Sequence, residues 1–265
     1  MTSATQITII TVNRNNGLGL EKTILSIASQ SYKGIEYIVI DGASTDSSLQ
    51  VIEKYSEAIN VWLSEPDNGI YNAMNKGIDR AKGDYVLFIN SGDLLIHDSV
   101  IERVIQRLED NSYPDIIHGD VLVLSMNGEP SRIKRIKSPN KFSLYFDSFQ
   151  HQAMFYKRTI FINYGTYNED LRVYSDHEYT LRILYRQGLS IVYVPETVSL
   201  FWHGKGMSSS PNNTISNAIE RKRLQRRYFS RPDRVWLSLL YYVYVQSLRV
   251  KSGMTNLWIS LCRRP

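Results

Sequence analysis

Three carboxylates in this sequence stand where they could meet a ligand: Asp41, Asp93 and Asp176. Asp41 opens the run DGASTD at residues 41–46, directly after the apolar run EYIVI. A carboxylate at a strand end can accept from a base N–H or a ribose hydroxyl, and small neighbours let a nucleotide approach the backbone. The same run also reads as an Asx-type turn, with Asp46 as the N-cap of the next helix. Asp93 closes the run NSGD at 90–93, directly after YVLFI. Asp176, in YSDHEY, is expected at a helix start, where the helix dipole keeps a carboxylate ionised. Such a group serves as a general base if a hydroxyl lies within hydrogen-bond reach; an N-cap is the plain alternative. His151 stands among aromatics in FQHQAMFY and reads equally as a satisfied core residue. Asp67 and Lys76, in SEPDNG and MNKG, could touch a nucleotide, or simply make a turn and a solvated helix end.

To bring these groups together the chain needs a common scaffold, and the hydrophobic pattern supplies one. The first 125 residues alternate strand-like runs (7–12, 36–40, 61–63, 85–89) with helix-like ones (20–29, 48–55, 70–81, 99–108). Such alternation argues for a mainly parallel sheet covered on both faces. Ligands in such sheets bind beyond the carboxyl ends of the strands. The polar clusters 13–16, 41–46 and 90–93 follow the first, second and fourth strands, which is the first pointer to a nucleotide site. After residue 115 the pattern changes to antiparallel strands, a helix at 176–187 and a strand at 190–194. A loop rich in Gly, Ser, Pro and Asn follows at 205–213, and from 214 the chain reads as helical, basic and then aromatic.

Four segments in order, TIITVNRNN, IEYIVIDGASTDSS, SEPDNGIYNAMNKG and YVLFINSGD, resemble the N-terminal half of family 2 glycosyltransferases. The likeness is greatest to the branch that builds bacterial exopolysaccharide and O-antigen units, including the colanic acid transferases, and runs over about residues 7–208. It implies an α/β GT-A fold: a mainly parallel, Rossmann-like sheet with helices on both faces, a mixed α+β acceptor half and C-terminal basic and aromatic helices. The implied organisation is a glycosyltransferase domain at 1–213, with a nucleotide-sugar half (1–115) and an acceptor and catalytic half (116–213), then a helical extension at 214–265. The implied reaction is inverting transfer from a UDP-, GDP- or dTDP-sugar to a hydroxyl of a saccharide, on a lipid-linked acceptor, with Mg²⁺ or Mn²⁺. Asp176 matches the family's catalytic aspartate. Asn90-Ser91-Gly92-Asp93 occupies the family's DxD position, but only Asp93 keeps a charge, so metal binding is expected to be weaker or assisted from elsewhere. His203, in FWHGKGMS, stands in the family's late loop; its imidazole could complete the sphere of a metal and Lys205 could pair a phosphate. The resemblance therefore points to donor contacts at Thr11, Val12, Asn15, Asp41, Asp67, Lys76, Asn90 and Ser91, to metal ligands at Asp93 and His203, and to His151 and Lys205 on the acceptor or diphosphate side. Many relatives carry two adjacent Asp where this chain has Asp41-Gly42.

Composition narrows the alternatives. The chain has 265 residues and a single cysteine, Cys262, which excludes an internal disulfide and a cysteine-based metal site. From residue 201 onward it holds 12 Lys+Arg against 2 Asp+Glu, whereas the first 200 residues hold 19 against 24. A basic tail on a mildly acidic body suggests an anionic surface partner. The tail reads ERKRLQRR at 220–227 and VWLSLLYYVYVQSL at 235–248, too short to span a bilayer and suited to a helix lying in the headgroup layer. Packing on its own domain or in a homodimer is the alternative for this stretch. These features place the expected protein in the cytoplasm, peripheral on the inner membrane face. No nucleic-acid module appears, so no nucleic-acid partner is expected. The GxGxxG fingerprint of a dehydrogenase is missing, since 13–19 reads NRNNGLG. A catalytically weak sugar-nucleotide-binding protein of the same fold is the remaining rival.

Overall fold

The structure, a computed structural model, describes residues 5–125, 127–146, 148–202 and 214–242. Strand β1 (Ile7–Asn13) is buried along its whole length. It pairs in parallel with β2 (Ile35–Asp41) on one side and β4 (Tyr85–Phe88) on the other. Strand β3 (Val61–Ser64) adds in parallel to β2. Helices α1 (Gly17–Ala28), α2 (Ser48–Lys54) and α3 (Ile70–Ile78) make the crossovers between these strands, and α4 (Val100–Asp110) leads into the second half. Ile7, Ile9, Tyr37, Val39 and Leu87 share one core with Leu20, Ile24 and Ile27 of α1 and with Val100, Ile101, Val104 and Leu108 of α4. Each such aliphatic side chain contributes about 1.5–3 kcal/mol through burial. Helix α3 lies close against β1, because Gly77 has no side chain: a Cβ there would sit 2.5 Å from Ile10 Cγ2.

The parallel half holds the order β3-β2-β1-β4, so the chain leaves β1 in one direction and returns on its other side at β4. That reversal opens a crevice at the carboxyl ends of β1 and β4. The sheet continues through β8 (Met154–Lys157), β6 (Ile116–Leu124), β9 (Ile191–Trp202) and β5 (Leu94–Leu95), with β7 (Pro130–Lys134) on β6. β8 is antiparallel to both β4 and β6, while β6 and β9 are parallel, so the second half is mixed. Helices α5 (Lys141–Phe146), α6 (Arg158–Tyr164) and α7 (Ser175–Thr180) and a single 3₁₀ turn at His151–Ala153 complete it.

Two elements differ from the sequence reading. The strand expected at 190–194 runs to Trp202, because the pairing with β6 slips from His118↔Tyr193 to Asp120↔Thr197 and the slip absorbs Pro195. The helix expected at 176–187 is α-helical only to Thr180 and continues as a wider π-type turn over Leu181–Arg186. Helix α8 (Thr214–Tyr228) follows, and residues 231–242 are helical. The chain divides into two compact units, Met1–Glu220 and Arg221–Pro265.

His118 on β6 gives the fold an acid sensitivity. It is buried, its ring 4.9 Å from Phe149 and 5.4 Å from Tyr193, and Nε2 has no partner among the described residues. Burial pushes its pKa down to about 4, against a smaller upward pull from Asp120. The unfolded chain therefore binds this proton more tightly than the folded one, and stability falls as pH drops from about 6.5 towards 4. The expected loss is about 3 kcal/mol across that window. Urea unfolding of wild type and His118→Phe at pH 7 and pH 4.5 checks it: a wild type that loses no more than the variant removes His118 as the cause.

Candidate functional site

The crevice rim is built by the residues that end β1, β2 and β4. Asp41, the last residue of β2, is fully buried. Its Oδ1 accepts from Asn13 Nδ2 at 2.8 Å and Ser44 Oγ at 2.5 Å. Its Oδ2 accepts from the Ser44 backbone N–H at 2.9 Å and Ser64 Oγ at 2.8 Å. Four donors hold the carboxylate, so it ties the ends of β1, β2 and β3 together and offers no exposed oxygen. Asp46 performs a similar service for two helices: Oδ2 accepts from Gly17 N–H at 2.8 Å and Oδ1 from Ser48 N–H at 3.0 Å, at the first residues of α1 and α2. Hydrogen bonds from Ser48 and Gly17 hold its carboxyl below the usual range, against a smaller effect of burial.

Several expected donor contacts are placed differently. Thr11 and Val12 lie inside β1 rather than at its end, which comes at Asn13. The Thr11 hydroxyl donates to Ile89 O at 2.7 Å and accepts from Tyr37 Oη at 3.0 Å, so it is engaged within the sheet, and Val12 is buried. Asn15 does lie on the rim: its backbone N–H donates to Ser44 Oγ at 2.8 Å, and its Oδ1 accepts from Thr45 N–H at 2.8 Å. Lys76 is spent on the loop before α3, with Nζ 2.7 Å from Glu65 Oε1 and 2.9 Å from Pro66 O. Asp67 is nearly buried, accepts from Gly69 N–H at 2.9 Å and lies 3.6 Å from the exposed Arg14 guanidinium. Gly42 makes room for it, since a Cβ at 42 would fall 2.1 Å from Asp67 Oδ2. As Asp67 is placed here, a side chain at 42 would have to displace its carboxylate.

The acceptor half contributes Asp176, which α7 presents from its second residue. Its Oδ1 accepts from His177 N–H at 2.8 Å and lies 3.2 Å from Tyr71 Oη; its Oδ2 lies 3.2 Å from His151 Nδ1. The far side of the imidazole, Nε2, is 3.0 Å from Asn90 Nδ2. With the Asn90 amide nitrogen facing Nε2, the matching tautomer carries its proton on Nδ1, toward Asp176. Burial pushes the Asp176 carboxyl up, but the His151 and His177 hydrogen bonds outweigh it and hold it below the ordinary value. The Asp176 side chain remains 19% exposed, open to an incoming group.

On the neighbouring turn, Asp93 has its pKa raised to about 6 by burial, partly opposed by His151 and by the Gln152 amide, which donates to its Oδ2 at 3.2 Å. Gly92 takes φ +97°, a left-handed conformation suited to glycine, and its N–H donates to Thr23 Oγ1 at 2.9 Å. Among the described residues no group of three His, Cys, Asp or Glu side chains could hold a metal. Asp93 alone offers a charged oxygen on this turn, so the donor set fits only a hard cation that draws most of its oxygens from a ligand's phosphates. His203 and Lys205 lie outside the described residues.

The cluster is continuous. Ser44 links Asp41 to Asn15; Asn16 Nδ2 reaches Ser91 Oγ at 2.9 Å; Asn90 reaches His151, and His151 reaches Asp176. Five segments distant in sequence, at 15–16, 41–44, 90–91, 151 and 176, are thus linked. Two further residues of the site, Tyr71 and Gln152, carry no signal in the sequence. Tyr71 and Gln152 look like core residues in an apolar run, and only their hydroxyl and amide, aimed at Asp176 and Asp93, distinguish them.

Comparison with known proteins agrees with this architecture. Residues 7–169 match the family model described as Glycosyl transferase family 2. An uncharacterized glycosyltransferase of Mycobacterium tuberculosis is 31% identical over 86% of this chain and 87% of its own length. A PGL/p-HBAD biosynthesis glycosyltransferase of Mycobacterium bovis is 29% identical over 84% of this chain and 85% of its own. Among solved structures, S. aureus TarS 1-349 in complex with UDP aligns at TM-score 0.61 and 18% identity, over 83% of this chain and 64% of that one. The mannosyltransferase PcManGT from Pyrobaculum calidifontis, in complex with GDP-Man and Mn²⁺, aligns at TM-score 0.61 and 15% identity over 97% and 86%. These two likenesses are of fold.

Proposed function

The chain belongs to glycosyl transferase family 2, and from that premise we propose that it moves a sugar from a nucleotide-diphospho-sugar to a saccharide hydroxyl with inversion, using Asp176 as the base. The observation that carries this is the arrangement of Asp176: ionised, partly open, and hydrogen-bonded to a His151 whose far nitrogen is taken by Asn90 on the donor-side turn. The nucleotide lies over the carboxyl ends of β1 and β2, against Asn15 and the Arg14–Asp67 pair. Its diphosphate faces the turn of Asn90, Ser91 and Asp93. Asp93 would hold Mg²⁺ or Mn²⁺ there, and such a cation supplies neutralisation of the diphosphate charge. Asp176 Oδ2 takes the proton of the acceptor hydroxyl while that oxygen attacks the anomeric carbon from the face opposite the leaving nucleoside diphosphate. His177 N–H donates to Oδ1 and His151 Nδ1–H to Oδ2; Oδ2 keeps its second lone pair for the acceptor proton.

The acceptor is proposed to be lipid-linked and the pathway one of surface polysaccharide or glycolipid assembly. In support, a relative's name places it in PGL/p-HBAD biosynthesis. The C-terminal unit adds a physical reason: Val235, Trp236 and Leu239 are exposed on a helix that also carries Arg231 and Arg234. Exposed apolar rings beside guanidinium groups suit the surface of an anionic leaflet. Among the described residues no helix is long and apolar enough to cross a membrane.

The test is a thermal-shift screen of UDP, GDP and dTDP with and without Mn²⁺, run beside sedimentation with phosphatidylglycerol vesicles. A nucleotide at a hundred times its Kd adds about 2.7 kcal/mol, or roughly 5 °C in Tm, and Mn²⁺ is expected to enlarge the shift. No shift from any nucleotide removes the donor reading; protein left wholly in the supernatant removes the membrane.

A further inference from the structure

Glu220 lies on α8, far along the chain from the crevice, yet its carboxylate is bonded to the segment that delivers Asp176. Oε1 accepts from the backbone N–H of Arg172 at 2.9 Å, and Oε2 from those of Val173 at 3.0 Å and Tyr174 at 3.3 Å. Three consecutive amides converging on one carboxylate form an anion-binding concavity of the kind that successive N–H groups make in irregular backbone. Residues 172–174 have no ladder or helix of their own to take these donors. On its other side the same segment is held by α3: Tyr71 Oη donates to Val173 O at 2.5 Å. Upstream, Asn75 Nδ2 reaches Tyr167 O at 3.0 Å and Glu169 Oε1 at 2.7 Å. Arg172–Tyr174 is therefore clamped from two directions immediately before Ser175 and Asp176.

We propose that Glu220 is a positioning residue for the reaction: its carboxylate fixes the backbone of Arg172–Tyr174 and thereby holds Asp176 in reach of His151 and the acceptor hydroxyl. The proposal rests on Asp176 being the base. The physical reason is geometric sensitivity, since a displacement of about 1 Å in a catalytic group can cost a hundredfold in rate. Tyr71 alone secures a carbonyl and leaves three N–H groups for water. Glu220 is the last residue of the first compact unit, directly before the basic run 221–227.

The experiment compares wild type, Glu220→Ala, Glu220→Gln and Glu220→Asp as full-length chains. Amide hydrogen exchange at 172–174 is expected to quicken at least about tenfold in Glu220→Ala, with β1 and β4 unchanged and Tm within a few degrees. The His151 Nδ1–H resonance is expected to move, because its partner oxygen has moved. Nucleoside diphosphate release from UDP-glucose, UDP-N-acetylglucosamine and GDP-mannose is expected to fall about tenfold to a hundredfold in kcat, with the Kd for each nucleoside diphosphate unchanged. Glu220→Asp is expected to restore part of that loss and Glu220→Gln less, since Gln keeps the length but not the charge. Unchanged exchange at 172–174, or an unmoved His151 signal, overturns the proposal. A Kd that weakens in step with kcat also overturns it, by showing a general loss of structure. An Asp176→Asn variant with full activity would instead bring down the base assignment beneath it, while leaving the exchange result intact.

Discussion

Asp176→Asn is expected to lower sugar transfer about a thousandfold while leaving the affinity for nucleoside diphosphate within about twofold of wild type. The substitution keeps the size of the side chain, and its amide oxygen can still accept from Tyr71 Oη and His177 N–H. What it loses is the basic lone pair on the second oxygen. The new NH₂ would also face the Nδ1–H of His151, donor against donor, where a carboxylate oxygen now accepts at 3.2 Å. A thousandfold corresponds to about 4 kcal/mol in activation free energy, within the range for removing a general base. Because the wild-type carboxyl is held below its ordinary value, it stays ionised well into the acid range. The ratio of variant to wild-type rate is therefore expected to be flat between pH 5 and pH 8. Transfer rates over that range, with nucleotide titrations on both proteins, supply the check. A variant within tenfold of wild type would leave Asp176 no role as base, and a loss confined to low pH would assign the proton to another group.

The sequence carried the scaffold of this site better than its contents. Parallel strands β1 to β4 were legible because each is a short run dominated by apolar and β-branched residues, and the clusters at 13–16, 41–46 and 90–93 fell where those runs end. Asp176 was singled out differently, by the family resemblance of YSDHEY and its expected place at a helix start, and it does stand at the start of α7. What a linear reading could not supply was partnership at long range. Thr11 resembles a ligand hydroxyl until Tyr37 and the Ile89 carbonyl are seen to use it. Lys76 resembles a nucleotide contact until Glu65 is found 2.7 Å away. The extension of β9 to Trp202 depended on a register slip that only β6 could impose. The Gly42 vacancy, which a local reading takes as a missing carboxylate, is filled by Asp67 from 25 positions downstream.

Asp41 is where these two kinds of information pull furthest apart, and its substitution has the second large expected effect. A strand-end aspartate facing a nucleotide would be exposed on at least one oxygen and cheap to remove from the free protein. Here both oxygens are buried and take four donors, from Asn13, Ser44 twice and Ser64. Asp41→Ala is therefore expected to destabilise the fold by about 4 kcal/mol, because the Ser44 N–H and the Asn13 amide keep their desolvation cost and lose their charged acceptor. For a chain of this size that is roughly a 7 °C fall in Tm. The serine hydroxyls can turn to other acceptors, and Asn13 Nδ2 retains Ser48 Oγ at 2.9 Å, which keeps the loss from being larger. Asp41→Asn is expected to fall between the two, since one oxygen survives and the new NH₂ meets donors. Urea unfolding at neutral pH measures the stability, and nucleotide titration at a temperature where both variants are folded measures the site. If Asp41→Ala stays within 1 kcal/mol of wild type while nucleotide affinity drops tenfold or more, the carboxylate must reach the ligand directly, and the rim must reorganise on binding. If stability falls and the folded fraction binds nearly as well, Asp41 acts by holding together the strand ends on which Asn15 and Asp67 are carried.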